Sequence, residues 1–297
     1  MRYAAIDIGS NAVRLLIADI IENDGSISFK KNTLIRVPLR LGDDAFLHQH
    51  ISDKKSTDLL KTMQAFRNLM GVYKVSECMA CATSAMREAN NGGEVVKLIK
   101  EQAGIDLQIV QGQIEAKIIY ASHAEQNIDK GKDYLYIDVG GGSTELSLFS
   151  AGTLIASKSF NIGTIRILDN QDTEENWNAM KDFIREHTRH FKGVSGIGTG
   201  GNINKLYKLS EEKGNAPLTF GKLKSLYDYL DSFSLKDRIN VLGLNQDRAD
   251  VIIPACEIYL SVMKWAGIKN IYVPTVGMVD GIIQTLIDEK YVKNTLK

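Results

Sequence analysis

The chain is poor in cysteine and proline, has no net charge and contains no long apolar run. Three cysteines in 297 residues are too few for a disulfide framework. No stretch approaches the roughly 18 apolar residues that span a membrane, and no signal-peptide pattern follows Met1. Equal numbers of basic and acidic side chains argue against nucleic acid or an anionic membrane as the main partner. We therefore expect a soluble, cytoplasmic protein that binds neither.

Glycine, in contrast, is concentrated in two clusters. One is the run Gly140–Gly142, and the other holds five glycines between residues 193 and 201. Because glycine lets the backbone approach a neighbour or a ligand closely, these clusters are the first candidates for chemistry.

A repeated segment divides the chain. Tyr3–Gly9 resembles Tyr134–Gly140, so that the two copies begin 131 positions apart, and each ends in Asp-x-Gly. A Gly/Ser/Asn turn and a second apolar strand follow each copy, at Val13–Ile20 and at Thr144–Phe149. This pattern predicts two β-hairpins in duplicated halves of the protein.

Elsewhere, helical spacing of apolar residues alternates with short apolar runs, which predicts mixed or parallel sheets covered by helices. The predicted helices are 58–72, 94–103, 113–125, 177–190, 223–232, 249–265 and 281–289, and the predicted strands are 77–83, 107–110, 193–198 and 270–274. The polar stretch 127–133 is the best boundary. We therefore expect two α/β lobes, 1–125 and 126–297, with a cleft between them.

The second turn, Asp138–Glu145, combines three glycines and two hydroxyls between two carboxylates. Such a turn presents backbone N–H groups suited to phosphate oxygens. Carboxylates beside a phosphate call for a hard cation, and Mg²⁺ binds to one or two carboxylates plus phosphate oxygens. The alternative is a tight hairpin with surface acids.

The first turn, Asp7–Arg14, has fewer glycines, and Arg14 stands where the second copy has Glu145. If the lobes face each other, one contributes a cation and the other an acid to the same cleft. The alternative is that Arg14 is an exposed strand charge.

Three further segments hold candidates. Ser84 is expected to cap a helix with Arg87 in its first turn, where the helix dipole disfavours a cation. Arg87 suits this position if it holds an anion there. The alternative is that Arg87 is a surface charge. Glu115 lies in the first turn of a predicted helix whose Ile114 and Ile118 are expected to face inward. Glu115 is either a general base or a purely structural acid. The glycine turn 196–202 and Arg248 are weaker candidates for binding phosphate or a nucleotide.

Together, these ordered motifs resemble the exopolyphosphatase / guanosine pentaphosphate phosphatase family of the sugar kinase–actin–chaperone ATPase superfamily. The motifs are Asp7–Asn11, Ala82–Ala89, Gly112–Ala116, Asp138–Glu145 and Gly198–Gly201. The resemblance implies two ribonuclease H-like (actin-like) lobes, Mg²⁺ as cofactor, and release of terminal phosphate from inorganic polyphosphate or pppGpp. It also suggests a homodimer and a last helix, about 281–297, that packs back on the first lobe.

The sequence departs from the family at several positions. Ile114 replaces a second Glu, Asn202 replaces Thr, and Met278–Gly281 replaces Leu-Arg-Glu-Gly. The C-terminal helical domains of longer members are missing within the 297 residues. These departures favour the short, two-domain branch over long-chain, processive degradation.

The resulting hypothesis is metal-assisted hydrolysis in which Glu115 activates water and Arg87 balances charge. Mg²⁺ is assigned to Asp138 and Glu145, with Asp7 as a third candidate ligand. The phosphate-binding candidates are Gly9, Ser10, Asn11, Arg14, Gly140, Gly141, Gly142, Ser143, Thr144, Gly200, Gly201 and Arg248. The rival hypotheses are a pppGpp-specific phosphatase, a kinase of the same superfamily and a non-catalytic scaffold that senses nucleotides.

Overall fold

The computed structural model describes residues 1–23, 26–121, 131–214 and 216–295. The chain divides into two compact units, one made of residues 1–123 and 277–297 and the other of residues 124–276. Parts of three sequence predictions lie outside the described residues. They are the domain boundary at residue 125, the end of the predicted helix 113–125 and residues 127–130 of the polar stretch.

The helices and strands follow the chain in an alternating order. Up to residue 121 they are β1 Arg2–Ile8, β2 Val13–Asn23, β3 Ser26–Val37, α1 Leu41–His48, α2 Asp53–Val72, β4 Glu77–Ala82, α3 Ser84–Glu88, α4 Gly92–Ala103, β5 Leu107–Ile109 and α5 Gly112–Ala121. From residue 131 they are β6 Asp133–Val139, β7 Thr144–Ser150, β8 Thr153–Phe160, α6 Thr164–Leu168, α7 Glu174–Thr188, β9 Val194–Thr199, α8 Gly200–Leu209, β10 Leu218–Thr219, α9 Phe220–Asp231, α10 Leu235–Asn240, α11 Gln246–Ala249, α12 Ile252–Ala266, β11 Asn270–Tyr272 and α13 Met278–Thr295.

The first unit is built on a five-stranded mixed sheet in the order β3-β2-β1-β4-β5. The neighbours β1, β2 and β3 are antiparallel, whereas β4 and β5 run parallel to β1. Helix α13 belongs to this unit, where it packs against β1 and α5. Ile282 and Ile283 of α13 are fully buried there, in one apolar cluster with Ile118 and Ile119 of α5.

The second unit has a six-stranded mixed sheet in the order β10-β11-β9-β6-β7-β8. Its β6, β7 and β8 are antiparallel neighbours, and β9 runs parallel to β6, so that this part repeats the arrangement of β1, β2, β3 and β4. The main core lies between this sheet and α12, whose Tyr259 and Cys256 are fully buried. The predicted fold class, two α/β lobes with mixed sheets flanked by helices, is confirmed by these sheets.

The third strand of each meander, β3 and β8, was missing from the sequence prediction. Both strands lie at a sheet edge and are mostly exposed or half-buried. Because an edge strand buries little apolar surface, it lacks the strong alternation of apolar and polar residues by which a half-buried strand is recognised.

The predicted helix 249–265 corresponds to α12, Ile252–Ala266, which begins three residues later than predicted, because Ala249 ends the separate short helix α11. Pro254 explains the break. A proline lacks an N–H group, and its ring clashes with the carbonyl four residues earlier, here that of Asp250. The chain therefore starts a new helix at Ile252, where Pro254 falls in the first turn and is tolerated.

Among the described residues, no helix is both long enough and apolar enough to cross a membrane.

Candidate active site

The turn between β1 and β2 is closed by a hydrogen bond from the N–H of Gly9 to the carbonyl of Ala12, at 3.1 Å. The carbonyls of Ser10 and Asn11 accept hydrogen bonds from the segment that leads into α1. The donors are the N–H groups of Gly42 and Arg40, at 2.8 and 3.0 Å. Since the C=O and N–H of a trans peptide point in opposite directions, the N–H groups of Asn11 and Ala12 face away from α1.

The turn between β6 and β7 repeats this construction. The N–H of Gly140 donates to the carbonyl of Ser143 at 2.9 Å, and the carbonyls of Gly140, Gly141 and Gly142 all accept hydrogen bonds from α6. The donors are the N–H of Thr164 at 3.0 Å, the N–H of Ile165 at 2.8 Å and Nε of Arg166 at 2.6 Å. By the same peptide geometry, three successive N–H groups, those of Gly141, Gly142 and Ser143, face away from α6. Such a row of N–H groups has the form of a nest, an arrangement that can bind an anion.

The β1–β2 turn adjoins a row of side chains that is rich in cations. Directly cross-strand partners share one face of a sheet, and here Asp7 pairs with Arg14, which in turn pairs with Arg36 of β3. Nη1 of Arg14 lies 2.6 Å from Oδ2 of Asp7. Asp7 is only 3% exposed; burial raises the pKa of its carboxyl, and Arg14 opposes that rise.

The corresponding row beside the β6–β7 turn is rich in acids. Asp138 pairs across the strands with Glu145, Glu145 with Ser159 of β8, and Asp138 with Thr199 of β9. The hydroxyl of Thr199 donates to Oδ2 of Asp138 at 2.7 Å. Oε1 of Glu145, a residue that is 4% exposed, accepts from Ser159 at 2.8 Å and from Ser143 at 2.6 Å. The two acids are thus held side by side by hydroxyl groups, as the spacing of the motif indicated.

Arg87 lies on the short helix α3 and is half-buried. Its Nη1 donates to the carbonyl of Val110 at 2.8 Å, just before α5 begins. The prediction that Ser84 caps this helix is wrong, because the N-cap is Thr83 and no side chain makes a capping bond. The Oγ of Ser84 instead lies 3.0 Å from that of Ser10, and this hydroxyl pair joins α3 to the β1–β2 turn.

Glu115 occupies the first turn of α5, as predicted, and is half-buried. The neighbouring prediction for Ile114 is wrong: its side chain is 44% exposed, whereas Ile118 is buried. Burial raises the pKa of the Cys81 thiol to about 12, and the negative charges of Asp7 and Glu115 add to the rise. Cys81 is also the β4 partner of Asp7.

Gly200 and Gly201 open α8 directly after β9. Gly200 has φ +87°, and a Cβ added to it would lie 2.9 Å from Oδ1 of Asp138. The glycine is therefore required both by its backbone conformation and by the nearby carboxylate. Arg248 of α11 donates to Oδ1 of Asn202 at 3.0 Å, while Nδ2 of Asn202 donates to the carbonyl of Val139 at 2.8 Å.

Sequence reasoning missed three residues that support the second turn: Arg166, Ser159 and Tyr259. Arg166 is 7% exposed and binds the glycine run through Nε. The fully buried hydroxyl of Tyr259 donates to the carbonyl of Thr199 at 3.2 Å; burial raises its pKa, and Asp138 and Glu145 add to the rise. A single basic residue among the apolar positions 162–168 was a weak signal for Arg166. The other two act through pairings that are distant in sequence.

The side chains present could supply part of the coordination shell of a Mg²⁺ ion. Within the described residues, no group of three or more His, Cys, Asp or Glu side chains could hold a metal. Two adjacent carboxylates, those of Asp138 and Glu145, suit Mg²⁺, which commonly takes one or two carboxylates and completes its shell with water and phosphate oxygens. Asp7 pairs with Arg14 in its own unit, and its assignment as a metal ligand stays a prediction.

Comparison with known proteins identifies one family and several relatives. The model of the Ppx/GppA phosphatase family matches residues 21–290. A bifunctional 3-dehydroquinate synthase/phosphatase of Fusobacterium nucleatum is 27% identical over 287 residues, which cover 89% of this chain and 43% of that protein. The chain thus spans less than half the length of that relative.

Two further relatives match over almost their whole length. A Haemophilus influenzae protein, provisionally named an exopolyphosphatase, is 25% identical over 298 residues that cover 95% of this chain and 90% of that protein. The crystal structure of an exopolyphosphatase from Cytophaga hutchinsonii is 22% identical, covers 97% of this chain and 98% of its own, and superposes with a TM-score of 0.84. The last match shows that the two share a fold.

Proposed function

This chain belongs to the Ppx/GppA phosphatase family, a family of hydrolases that act on phosphoanhydrides, and we propose that it removes the terminal phosphate of inorganic polyphosphate with the help of Mg²⁺. The nucleotide pppGpp is a second candidate substrate, because it also ends in a phosphoanhydride. Names of the relatives support this choice, since one is a phosphatase and two carry the exopolyphosphatase name.

One observation carries the proposal: the nest of three N–H groups at Gly141–Ser143 lies at the same turn as the acid pair Asp138 and Glu145. N–H donors fixed by α6 bind phosphate oxygens without any further rearrangement. An acid pair next to an anion site is unfavourable unless a cation lies between them. The combination therefore selects a substrate that brings phosphate oxygens and Mg²⁺ together.

In the proposed reaction, Glu115 accepts a proton from a water molecule whose oxygen attacks the terminal phosphorus. The new P–O bond forms as the bond to the bridging oxygen breaks, and the products are orthophosphate and a chain one phosphate shorter. Phosphoryl transfer depends mainly on positioning and on neutralising charge. Mg²⁺, when bound, would neutralise charge on the phosphate oxygens.

The remaining residues are assigned by charge and position. The nest would hold the terminal phosphoryl group. The predicted role of the Thr144 hydroxyl is wrong, because this hydroxyl is fully buried and donates to the carbonyl of Ile162 at 2.7 Å. In the first unit, phosphate binding by Arg87, Arg14 and the Gly9–Asn11 turn stays a prediction. For the α8 turn, the contact of Gly200 with Asp138 supports a role in placing that carboxylate, and phosphate binding by Gly201 and Arg248 stays a prediction.

The test is release of orthophosphate from short polyphosphate, long polyphosphate, pppGpp and ATP, each with and without Mg²⁺. We expect Mg²⁺-dependent release from short polyphosphate, with products that shorten one unit at a time. ADP formation that requires an added acceptor would show a kinase instead. Binding of nucleotide without release from any substrate would show a sensing scaffold, and release from pppGpp alone would show the nucleotide-specific phosphatase.

The homodimer and the cytoplasmic location stay predictions from the resemblance and the composition. Sedimentation equilibrium of the purified chain tests the first.

A further inference from the structure

Helix α13 lies close to the backbone of α5 at Gly281. A Cβ added to Gly281 would lie 1.8 Å from the carbonyl oxygen of Ile118 and 2.5 Å from its carbonyl carbon. Real Cβ atoms do not approach other heavy atoms so closely, and a backbone cannot yield as a flexible side chain can. The two helices are therefore packed backbone against backbone at this point.

The start of α13 is held in place by other contacts. Oδ2 of Asp280 accepts a hydrogen bond from the N–H of Gly277 at 3.0 Å, and its Oδ1 lies 2.6 Å from Nζ of Lys31 on β3. Asp280 is 3% exposed. Since the first turn of α13 is tied to the sheet in this way, an added side chain at Gly281 would displace α5 rather than α13 alone.

Displacement of α5 would move Glu115. Ile118 follows Glu115 by three residues, which is about one helical turn. Helix α5 has ten described residues, and a helix this short depends on packing for its position. Its buried Ile118 and Ile119 pack in the cluster that α13 supplies.

We propose that Gly281 is a positioning residue for the reaction: the close contact of α13 with α5 sets where the Glu115 carboxylate lies. This inference rests on the proposed function, in which Glu115 activates the attacking water. The simpler view is that Gly281 contributes only to stability.

The central experiment compares Gly281→Ala with Gly93→Ala. Gly93 is a helical glycine of the same unit, in α4, where an added Cβ would meet nothing within 4 Å. We expect Gly281→Ala to lower kcat by about 10- to 100-fold, because a displacement of about 1 Å costs up to about 100-fold. KM should stay within about twofold, since the groups assigned to substrate binding, the nest and Arg14, do not belong to α5. Gly93→Ala should keep both constants.

A double variant separates positioning from general damage. In a Glu115→Gln background, Gly281→Ala should lower kcat by less than about twofold, because the group it displaces no longer acts. Amide hydrogen exchange should become faster in α5 of Gly281→Ala and stay unchanged in Gly93→Ala. This second readout needs no activity.

If Gly281→Ala does not fold, Asp280→Asn provides a milder change. It weakens the ion pair with Lys31, keeps the side-chain shape, and should lower kcat and speed exchange in α5 in the same direction. The inference would be overturned by equal losses of kcat with and without Glu115, or by wild-type kcat in a folded Gly281→Ala protein. A wild-type enzyme that releases no phosphate would contradict the proposed function, whereas the exchange result would still decide whether Gly281 holds α5.

Discussion

The two turns share a backbone plan but adjoin side-chain rows of opposite charge. In the first unit the row runs Arg36, Arg14, Asp7, and in the second it runs Ser159, Glu145, Asp138, with Thr199 beyond. In both units the turn carbonyls are held by a following helix or by the segment that leads into it, so that N–H groups face the other way. The repeated segment therefore forms two turns with the same backbone plan, and the cross-strand partners beside them are mainly basic at the first turn and acidic at the second.

This difference in charge separates two ways of binding an anion, directly to cations and through a metal ion, which are difficult to combine at one turn. Cations beside the first turn favour an anion directly. The acid pair beside the second turn favours an anion only together with a metal ion. Variants in the two rows should accordingly fail in different ways, one in its affinity for substrate and the other in its need for Mg²⁺.

The largest effect is expected when the acid row is neutralised. Asp138→Asn combined with Glu145→Gln should lower phosphate release by about 10³-fold or more, since a catalytic metal supplies several kcal/mol and each 1.4 kcal/mol is about tenfold. Steady-state rates across a Mg²⁺ series measure the loss. Asp133→Asn, at the other end of β6, is the control and should keep its rate.

The next largest effect is expected for Glu115→Gln, which lies outside both rows. A general base contributes about 10²–10⁴-fold, so kcat should fall by that factor while KM stays nearly constant. Glu101→Gln, a well-exposed acid on α4, serves as the matched control. Wild-type turnover in the Glu115 variant would remove this residue from the mechanism.

A smaller effect, on KM, is expected from the cationic row. Arg14→Gln should raise KM by about 10-fold or more, since a hydrogen bond to a charged group contributes about 1.5–3 kcal/mol. The Mg²⁺ requirement should not change. Arg2→Gln is a close control, because Arg2 pairs with Asp19 on the same two strands at 2.8 Å, and both residues are half-buried.

The same Arg14→Gln variant should show a pH-dependent loss of stability. Burial raises the pKa of Asp7, and without Arg14 that pKa rises further. An acid whose folded pKa is raised binds protons more tightly when folded, so its ionisation destabilises the fold as pH rises. The variant should therefore lose most stability at neutral pH and recover toward wild type as pH falls to about 4, as thermal melts would show. A constant difference across this range would contradict the account.

The smallest effect is expected from a hydroxyl that orients an acid. Ser159→Ala removes one hydrogen bond to Glu145 and should raise the Mg²⁺ requirement about two- to tenfold, given a contribution of about 1 kcal/mol. Ser157→Ala on the same strand removes a hydroxyl pair with Ser147 and should leave that requirement unchanged.

The two turns could be located from the sequence because the residues that form each turn are close together in the chain. The repeat placed Arg14 and Glu145 at equivalent positions, and both are the cross-strand partners of the aspartates that precede the turns. Ser159 and Tyr259 were missed because they reach the site through a strand pairing and a helix far along the chain. Ile114 was misjudged because the buried face of α5 is formed by Gly112, Ala116, Ile118 and Ile119, and Ile114 lies outside that face.

The most direct measurement is the rate of phosphate release from short polyphosphate as a function of both Mg²⁺ and substrate, for the wild type, Glu145→Gln and Arg14→Gln. We predict that Glu145→Gln shifts only the Mg²⁺ dependence and that Arg14→Gln shifts only the substrate dependence. Equal shifts of both dependences in both variants, or phosphate release by the wild type without any divalent cation, would contradict this prediction.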